Sequence, residues 1–258
     1  MLKALHYGTI LAAICFVVPV QAADLLPECA GPIEIANTRV MRVEQNGILV
    51  LSDGRAVILE GIGLPLAGDK NAPDFANQAL AALREMTVGK PMVFTALAPK
   101  EDRYDRIRAQ GFARQWIQIA LLEQGLARVA ISRDRGECAQ ELYQAESYAR
   151  AKRLGLWASD FAAPRFLEVS KDPAAIYQEV DGWVTNVGQV AGSVFIDFGN
   201  DGQRIYSAII ALQDRNAFRG YDLDGLQTKH IRVRGNVQYY RGRPEILLSM
   251  PSQIEVLN

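Results

Sequence analysis

The sequence predicts a mainly β chain with three helices, an α+β protein made of two strand-rich halves. Short apolar runs alternate with turn residues from 40 to 64, apolar residues recur at helical spacing in three segments between 73 and 153, and alternating strands return after about 175. The residues are 49% hydrophobic and 22% charged, a globular composition that allows one large or two modest cores. This composition favours a folded chain over a disordered one.

The first 22 residues have the features of a removed signal peptide. Lys3 precedes an apolar run, Ile10–Val20, and Ala22 completes a small-residue cleavage site. Pro19 interrupts the run, which is shorter than the roughly 20 apolar residues of a membrane span. The sequence therefore predicts an exported protein, periplasmic or secreted, with no stable membrane insertion after cleavage and an N-terminal extension over 23–39.

Two of the 3 cysteines, Cys29 and Cys138, lie beyond the predicted signal peptide. An exported protein meets an oxidising compartment, in which two thiols tend to pair. We therefore expect a Cys29–Cys138 disulfide, which would contribute about 4 to 5 kcal/mol in the chain-entropy model. The alternative is a pair of buried free thiols.

Turn residues and helical spacing define the elements of the first half. Gly47 and the Asp53-Gly54 pair predict turns in a meander of antiparallel strands between 40 and 64. Three segments have helical spacing, and a glycine follows each of them. Trp157 is expected to anchor the core. The predicted helices are Pro73–Met86, Gln115–Gln124 and Glu137–Arg153, and the predicted strands between them are Met92–Ala98 and Arg108–Ala113.

The second half, over 175–258, follows a proline-containing linker at 161–174. Strict alternation from His230 to Val237 predicts a strand with one packed face and one polar face. A short helix is predicted near Asp214–Phe218. The predicted strands are Gly182–Thr185, Ser193–Phe198, Ile205–Leu212, Ile231–Tyr239 and Glu245–Met250.

Five blocks of the first half occur in a characteristic order: Leu49–Arg55, Val57–Ile62, Asp102–Arg106, Leu121–Ala127 and Gly155–Trp157. With them, the segment from 40 to 160 resembles the staphylococcal nuclease (thermonuclease) family. The resemblance implies a five-stranded OB-type barrel with three helices. It also implies phosphodiester hydrolysis, in which carboxylates hold Ca²⁺, a glutamate handles the attacking water and two arginines neutralise the phosphate.

Most of the family's catalytic positions have changed in this chain. Two glycines stand where the metal-binding aspartates belong, a leucine replaces the glutamate base, and an isoleucine replaces the first phosphate arginine. The changed positions are Gly47, Ile58, Gly63, Leu64 and Leu66. Pro65 supports this register, and only Arg106 retains a catalytic residue of the family. The resemblance therefore implies no metal site and no cofactor.

Loss of the base alone costs about 10²- to 10⁴-fold, and each missing transition-state cation about 3 to 4 kcal/mol. An alternative is a Ca²⁺-dependent nuclease whose atypical site is rebuilt from the nearby carboxylates of Glu44, Glu60 and Asp69.

Three blocks of the second half, Val194–Gly199, Ile231–Gly235 and Pro251–Leu257, resemble the small OB-like β-domain that follows the nuclease-like domain in some bacterial thermonuclease-family proteins. OB barrels bind single strands by stacking bases on aromatic rings in a basic groove. The alternative is that the aromatic residues belong to the core and the arginines are solvated. The candidate nucleic-acid-binding residues are Phe195, Tyr206, Arg232, Arg234, Tyr239, Tyr240, Arg241 and Arg243.

Several function classes are excluded. Lys and Arg total 28 against 29 Asp and Glu, so no overall positive field attracts nucleic acid. His230 is the one histidine beyond the signal segment, which excludes histidine metal sites and Ser/His/Asp triads.

The leading hypothesis is a pseudonuclease, a noncatalytic binding or scaffold protein of the cell envelope with an unidentified envelope protein as partner. One alternative is a thermonuclease-type endonuclease with the atypical site. The other is a protein that binds single-stranded nucleic acid through its C-terminal domain.

Overall fold

The computed structural model describes residues 26–65, 73–132, 134–158, 165–166, 177–200 and 203–257. The predicted signal peptide, Leu66, Asp69 and most of the predicted linker lie outside these residues. In the described part of the chain, no helix is both long enough and apolar enough to cross a membrane. The described residues form two strand-rich bodies with three α-helices, which confirms the α+β class.

The first body is a closed five-stranded barrel. Its strands, in chain order with two short accessory strands, are β1 (Ile33–Val43), β2 (Leu49–Leu51), β3 (Ala56–Leu59), β4 (Gly61–Gly63), β5 (Pro91–Thr95), β6 (Ile107–Phe112) and β7 (Arg128–Ala130). The barrel order is β1-β2-β3-β6-β5, with β3 and β6 parallel, while β4 pairs with β7 beside it. The predicted OB-type barrel is confirmed.

Strand β1 begins at Ile33, within the segment that the sequence assigns to an N-terminal extension. Asn37 adopts a positive φ of 54°, and the pairing of β1 with β5 shifts register between Ile35 and Thr38. Such a bulge breaks the period-two alternation that marks a strand in a sequence. This break explains why the first part of β1 was missed.

Three helices pack against the first barrel: α1 (Pro73–Thr87), α2 (Ile117–Glu123) and α3 (Ala139–Lys152). They lie within a few residues of their predicted bounds. Gly125 ends α2 at a φ of +67°, and a Cβ there would lie 2.2 Å from the carbonyl oxygen of Leu154, so this position requires glycine. The turn brings the chain after α3 back to α2, and Trp157 is buried beside Leu156, as predicted.

The second body is also a closed barrel. Its strands are β8 (Arg165–Phe166), β9 (Tyr177–Val190), β10 (Ser193–Asn200), β11 (Gln203–Ile210), β12 (His230–Tyr240), β13 (Arg243–Leu248) and β14 (Ile254–Val256). The order is β14-β12-β13-β11-β10-β9-β8, and a further β12–β9 pairing closes a ring of five strands. β11 and β13 are parallel, so both rings connect their five strands in the same order. The second OB-like barrel is therefore present, with its own apolar core.

The predicted disulfide between Cys29 and Cys138 is formed. It links the segment before β1 to the residue that precedes α3, across 109 positions of sequence. Phe112 and Ala30 are buried around it. The bond thus ties the start of the first barrel to its last helix.

Candidate functional site

An open cleft of about 680 Å³ lies on the first barrel. Strands β3 and β6 and the loop that precedes β6 supply most of its wall. Ionised side chains dominate the described lining, together with one isoleucine at the position of the family's first phosphate arginine. The residues that determine its chemistry are Ile58, Glu60, Asp102, Arg106, Arg108 and Asp134.

Arg106, which the sequence analysis assigns to a retained catalytic position, is held by a carboxylate four residues earlier. Its Nε and Nη2 donate to Asp102 Oδ2 at 2.8 and 2.5 Å, and Asp102 Oδ1 accepts the backbone N–H groups of Tyr104 and Arg106. Burial alone would raise the pKa of Asp102, but the hydrogen bonds from Arg106 and Tyr104 outweigh it and lower that pKa. The carboxylate is therefore ionised and offsets the charge that Arg106 would present to a phosphate.

Arg108 is a site residue that the sequence reasoning missed. The parallel register places it opposite Ile58, so a guanidinium occupies the cleft from the neighbouring strand. Its Nε donates to Glu60 Oε2 at 2.8 Å, while Nη1 and Nη2 donate to Asp134 at 2.8 and 2.9 Å. The hydrogen bonds that Arg108 donates to Asp134 and then to Glu60 raise the pKa of Arg108 despite its burial, and Arg108 lowers the pKa of Asp134. Two carboxylates thus surround one arginine.

The described lining of the cleft has no excess positive charge. Four carboxylates, from Glu60, Glu101, Asp102 and Asp134, face three guanidinium groups. A phosphodiester needs unpaired, preorganised cations where its charge develops in the transition state. In this cleft the two arginines nearest the family's catalytic positions, Arg106 and Arg108, are already paired with the protein's own carboxylates.

The Ca²⁺ of the family does not fit the described residues. Gly47 has a φ of +83°, and a Cβ built on it would lie 2.6 Å from Leu64 Cδ1, so leucine hydrocarbon fills the space that a metal-binding side chain would enter. A Cβ on Gly63 would lie 3.3 Å from Ala130 Cβ. Ca²⁺ requires six to eight oxygen ligands, and neither glycine has a side chain to supply one.

Of the three carboxylates considered for an atypical metal site, Glu44 and Glu60 have arginine partners, and Asp69 lies outside the described residues. Glu60 is buried against Arg108, and Glu44 is an exposed partner of Arg42 at 3.4 Å. Among the described residues, the one group with metal-ligand spacing joins Cys29, Cys138 and Glu141, and its two sulfurs are consumed by the disulfide.

The prediction that Arg232 and Arg234 contact nucleic acid is wrong, because both lie in a charge cluster between the two barrels. Arg234 is 2% exposed, its Nη2 lies 2.9 Å from both Glu146 and Glu255, and its guanidinium stacks 4.1 Å from the Tyr143 ring. Arg232 donates to both oxygens of Asp181. The alternation of apolar and polar residues in β12 correctly predicted a polar face, but Arg234 on that face packs against Tyr143 and Glu146 of α3.

Each side of the interface between the barrels contributes an arginine that pairs with a glutamate of the other side. Arg150 of α3 donates to both oxygens of Glu179 on β9, while Arg234 of β12 faces Glu146 of α3. Burial alone would raise the pKa of Glu179, but the charges of Arg234, Arg150 and Arg232 outweigh it and lower that pKa. We call this cluster the interbarrel clasp: Glu146, Arg150, Glu179, Asp181, Arg232, Arg234 and Glu255.

Tyr206 is also wrongly assigned to a binding surface. It is 1% exposed and stacks on Phe198 with ring centroids 4.4 Å apart, inside the second core. Burial raises its pKa. Phe195 points to the other side of the same sheet, where it is half-buried.

The remaining four candidates lie together on the surface at the β12–β13 hairpin. Arg241 and Gly242 have φ values of 50° and 76°, as a two-residue turn with two positive φ angles requires. Tyr239 and Tyr240 are 48% and 57% exposed, and the Arg241 guanidinium lies 5.3 Å from the Tyr240 ring. Arg243 is exposed on the returning strand.

Comparison with known proteins agrees with the geometry of the first barrel. A family model described as staphylococcal nuclease homologue matches residues 56–159, from β3 through the three helices to the end of the turn after α3. A comparison of the chain with curated proteins finds no match. The segment 56–159, which contains the cleft, is therefore similar to the staphylococcal nuclease homologue family.

Proposed function

We propose that the protein is an exported pseudonuclease, a noncatalytic member of its family that acts as a binding or scaffold protein of the cell envelope. The proposal rests mainly on the side chains that occupy the cleft. Leucine hydrocarbon lies over Gly47, and Arg106 and Arg108 are paired with Asp102, Glu60 and Asp134. These contacts support the interpretation that the first barrel retains the fold of the family without its phosphodiesterase activity.

Phosphodiester hydrolysis needs an activated water, a Lewis acid and cations that bind the phosphate more tightly in the transition state. In the described cleft, Ile58 contributes no charge, and the carboxylate of Asp102 already offsets the charge of Arg106. Leu66, at the position of the general base, has no group that can take a proton. Each of these changes lowers the rate, and together they support the absence of turnover.

Export is supported by two independent features. Lys3, the apolar run Ile10–Val20 and the small residue Ala22 fit a signal peptide, and the Cys29–Cys138 disulfide suits an oxidising compartment. The mature chain would then begin at Ala23, with a nuclease-like domain over 40–160 and an OB-like domain over 175–258. Intact mass of the protein purified from its native source tests this: a retained Met1 would overturn it.

A plasmid-nicking assay tests the loss of catalysis. We expect the purified mature protein to leave supercoiled plasmid and single-stranded RNA intact with either Ca²⁺ or a chelator present. An added active thermonuclease in the same buffer shows that the assay detects cleavage. Ca²⁺-dependent nicking by the unmodified protein that Arg106→Ala abolishes would establish an enzyme with an atypical site and overturn the proposal.

A second candidate function, single-strand binding, is favoured by the exposed hairpin of Tyr239, Tyr240, Arg241 and Arg243. Base stacking on an aromatic side chain contributes about 1 to 3 kcal/mol per base, and arginine contacts to phosphates make binding weaken with salt. Binding of labelled oligothymidylate is measured by fluorescence anisotropy for the unmodified protein and for Tyr240→Ala.

Tyr148→Ala is the matched control, because Tyr148 is a similarly exposed tyrosine (52%) on α3. Loss of binding in Tyr240→Ala alone would support this function. Undetectable binding, or binding that both variants retain, would exclude it.

A further inference from the structure

An open groove lies between α3 of the first barrel and the last strand, β14, of the second. It has a volume of about 490 Å³, and residues of both barrels line it. Ala139, Tyr143 and Ile254 supply apolar surface, and the Tyr143 hydroxyl donates to the carbonyl oxygen of Ser252 across the groove. Ligand sites occur preferentially at such interfaces between domains. The groove shares no described residue with the nuclease-like cleft, so it is a separate site.

Glu255 is the one ionised side chain in the described lining of this groove. Its Oε2 accepts hydrogen bonds from Arg232 at 3.3 Å and from Arg234 at 2.9 Å. No donor in the described part of the chain is hydrogen-bonded to its Oε1, and the side chain is 25% exposed. Since each carboxylate oxygen can accept hydrogen bonds, Oε1 of Glu255 is available to a ligand in the groove.

The charges beside the groove favour a cationic ligand. Glu255 belongs to the interbarrel clasp, in which four carboxylates face three arginines. Arg234, which stacks on the Tyr143 ring, lies within 3.1 Å of Glu146, Glu179 and Glu255, so its own charge is compensated. An excess carboxylate in a partly buried interface attracts a cation more strongly than it does in water. A cation in the groove would therefore balance the clasp, whereas an anion would face Glu255.

We propose that this groove binds a lysine side chain of a partner protein. The ammonium group donates to Oε1 of Glu255, and the side-chain carbonyl oxygens of Gln140 and Gln144, one turn apart on α3, are acceptors for its other N–H groups. The four-carbon stem packs on Tyr143 and Ile254, as lysine stems do on apolar surface. Arginine fits less well, because its planar fork pairs best with both oxygens of a carboxylate and Oε2 of Glu255 is already occupied.

This proposal rests on the proposed binding role, and it names the chemistry by which the partner is recognised. The failures of the two proposals are distinguishable, because the groove and the cleft are separate. Nicking of plasmid would overturn the pseudonuclease proposal without changing the groove. Conversely, a protein that binds no lysine in the groove would still be a pseudonuclease if the nicking assay is negative.

NMR titration of the mature, disulfide-bonded protein with Nα-acetyl-lysine methylamide tests the proposal. We expect the side-chain amide signals of Gln140 and Gln144 to shift, with a Kd of about 1 to 10 mM for this single side chain. The norleucine analogue has the same stem without the ammonium group. It should bind at least about tenfold more weakly, because a hydrogen bond to a charged group is lost. The arginine analogue should also bind more weakly than the lysine analogue.

Two variants at exposed positions of α3 test the charge and the place of binding. Gln144→Glu adds a carboxylate to the groove and should tighten lysine binding about three- to fivefold, as read from the Gln140 signal. Gln227→Glu is its matched control, because it makes the same charge change at an exposed position outside the groove lining. Ser147→Trp should fill the groove and abolish binding. Tyr148→Trp, at the next residue of α3 but outside the groove lining, should leave the Kd unchanged.

The proposal is overturned if the lysine analogue leaves the groove signals in place, or if the norleucine or arginine analogue binds as tightly. It is also overturned if Ser147→Trp retains binding, or if Gln144→Glu has the same Kd as Gln227→Glu. Pentylamine carries the same ammonium group and stem without peptide groups. Much tighter binding of pentylamine than of the lysine analogue would assign the groove to a free amine and exclude a protein side chain.

Discussion

Replacing Arg234 with methionine tests the interbarrel clasp. The clasp contains four carboxylates and three arginines, so the variant leaves four carboxylates facing two arginines in a largely buried interface. Methionine approximates the length of the arginine stem but removes the charge. The free energy of unfolding should fall, because Glu146, Glu179 and Glu255 each lose a cation within 3.1 Å.

Removing one partner of a buried ion pair typically costs about 3 to 5 kcal/mol. We expect the lower end, about 3 kcal/mol, for two reasons. Arg150 and Arg232 remain to compensate the carboxylates. In addition, Nε and Nη1 of Arg234 donate no hydrogen bond to any part of the chain that the structure describes, so the contacts rest mainly on charge. Glu146→Gln in the same chain should recover part of the loss, and it keeps the oxygen that accepts the Val129 amide.

Urea unfolding followed by tryptophan fluorescence measures the effect. With an m value of about 2 to 3 kcal/mol per M, a loss of about 3 kcal/mol lowers the midpoint by about 1 to 1.5 M. Arg219→Met is the matched control, because Arg219 is exposed on the same barrel, and its effect should stay within about 0.5 kcal/mol. A loss in Arg234→Met that equals the control would refute the idea that the clasp joins the barrels.

Three further predictions concern stability. The pKa of Glu179 is lowered in the folded protein, so Glu179 stabilises the fold fully above its unfolded pKa, about 4.3, and this stabilisation disappears as the pH falls from there through the folded pKa. Glu179→Gln should therefore have a lower free energy of unfolding at pH 7 than the unmodified protein, and it should lose less of that free energy on acidification. Equal losses of free energy on acidification in the two proteins would contradict this. Replacing both Cys29 and Cys138 with serine should lower the free energy of unfolding by about 4 to 5 kcal/mol, because the bond spans 109 positions; urea midpoints within error of the oxidised protein would contradict it. Gly47→Asp should destabilise more than Gly54→Asp, since both glycines have positive φ but a Cβ at Gly54 meets nothing within 4 Å; equal thermal midpoints would show that Gly47 is not sterically blocked.

Much of the first barrel was predictable from the sequence. Turn glycines, helical spacing and the order of five blocks identified most of the strands and the three helices. Helix-ending glycines such as Gly125 carry this information because the positive φ that ends a helix favours glycine whatever the helix packs against. The parallel β11–β13 pairing that closes the second barrel joins residues far apart in sequence, so no local pattern indicates it.

The cleft and the second barrel show where the sequence was insufficient. The losses at Gly47 and Ile58 were visible, but the gain of Arg108 depended on a parallel register that brings β6 beside β3. Arg234 was predicted as a surface cation because alternation distinguishes two faces of a strand without saying what covers the polar one. The pair of Glu146 and Arg150, four residues apart on α3, was the available signal that the polar face has a partner.

Ca²⁺ titration of the native protein tests most directly the central claim that the family's metal site has been lost. An ion that binds the folded state raises the free energy of unfolding by about 2.7 kcal/mol at a hundredfold excess over its Kd. Because Leu64 fills the space above Gly47 and three carboxylates of the cleft, Glu60, Asp102 and Asp134, are paired with arginines, we predict the same urea midpoint with Ca²⁺ and with a chelator. A saturable rise of the midpoint with Ca²⁺ that Mg²⁺ does not reproduce, and that Glu60→Gln or Asp134→Asn removes, would contradict the account.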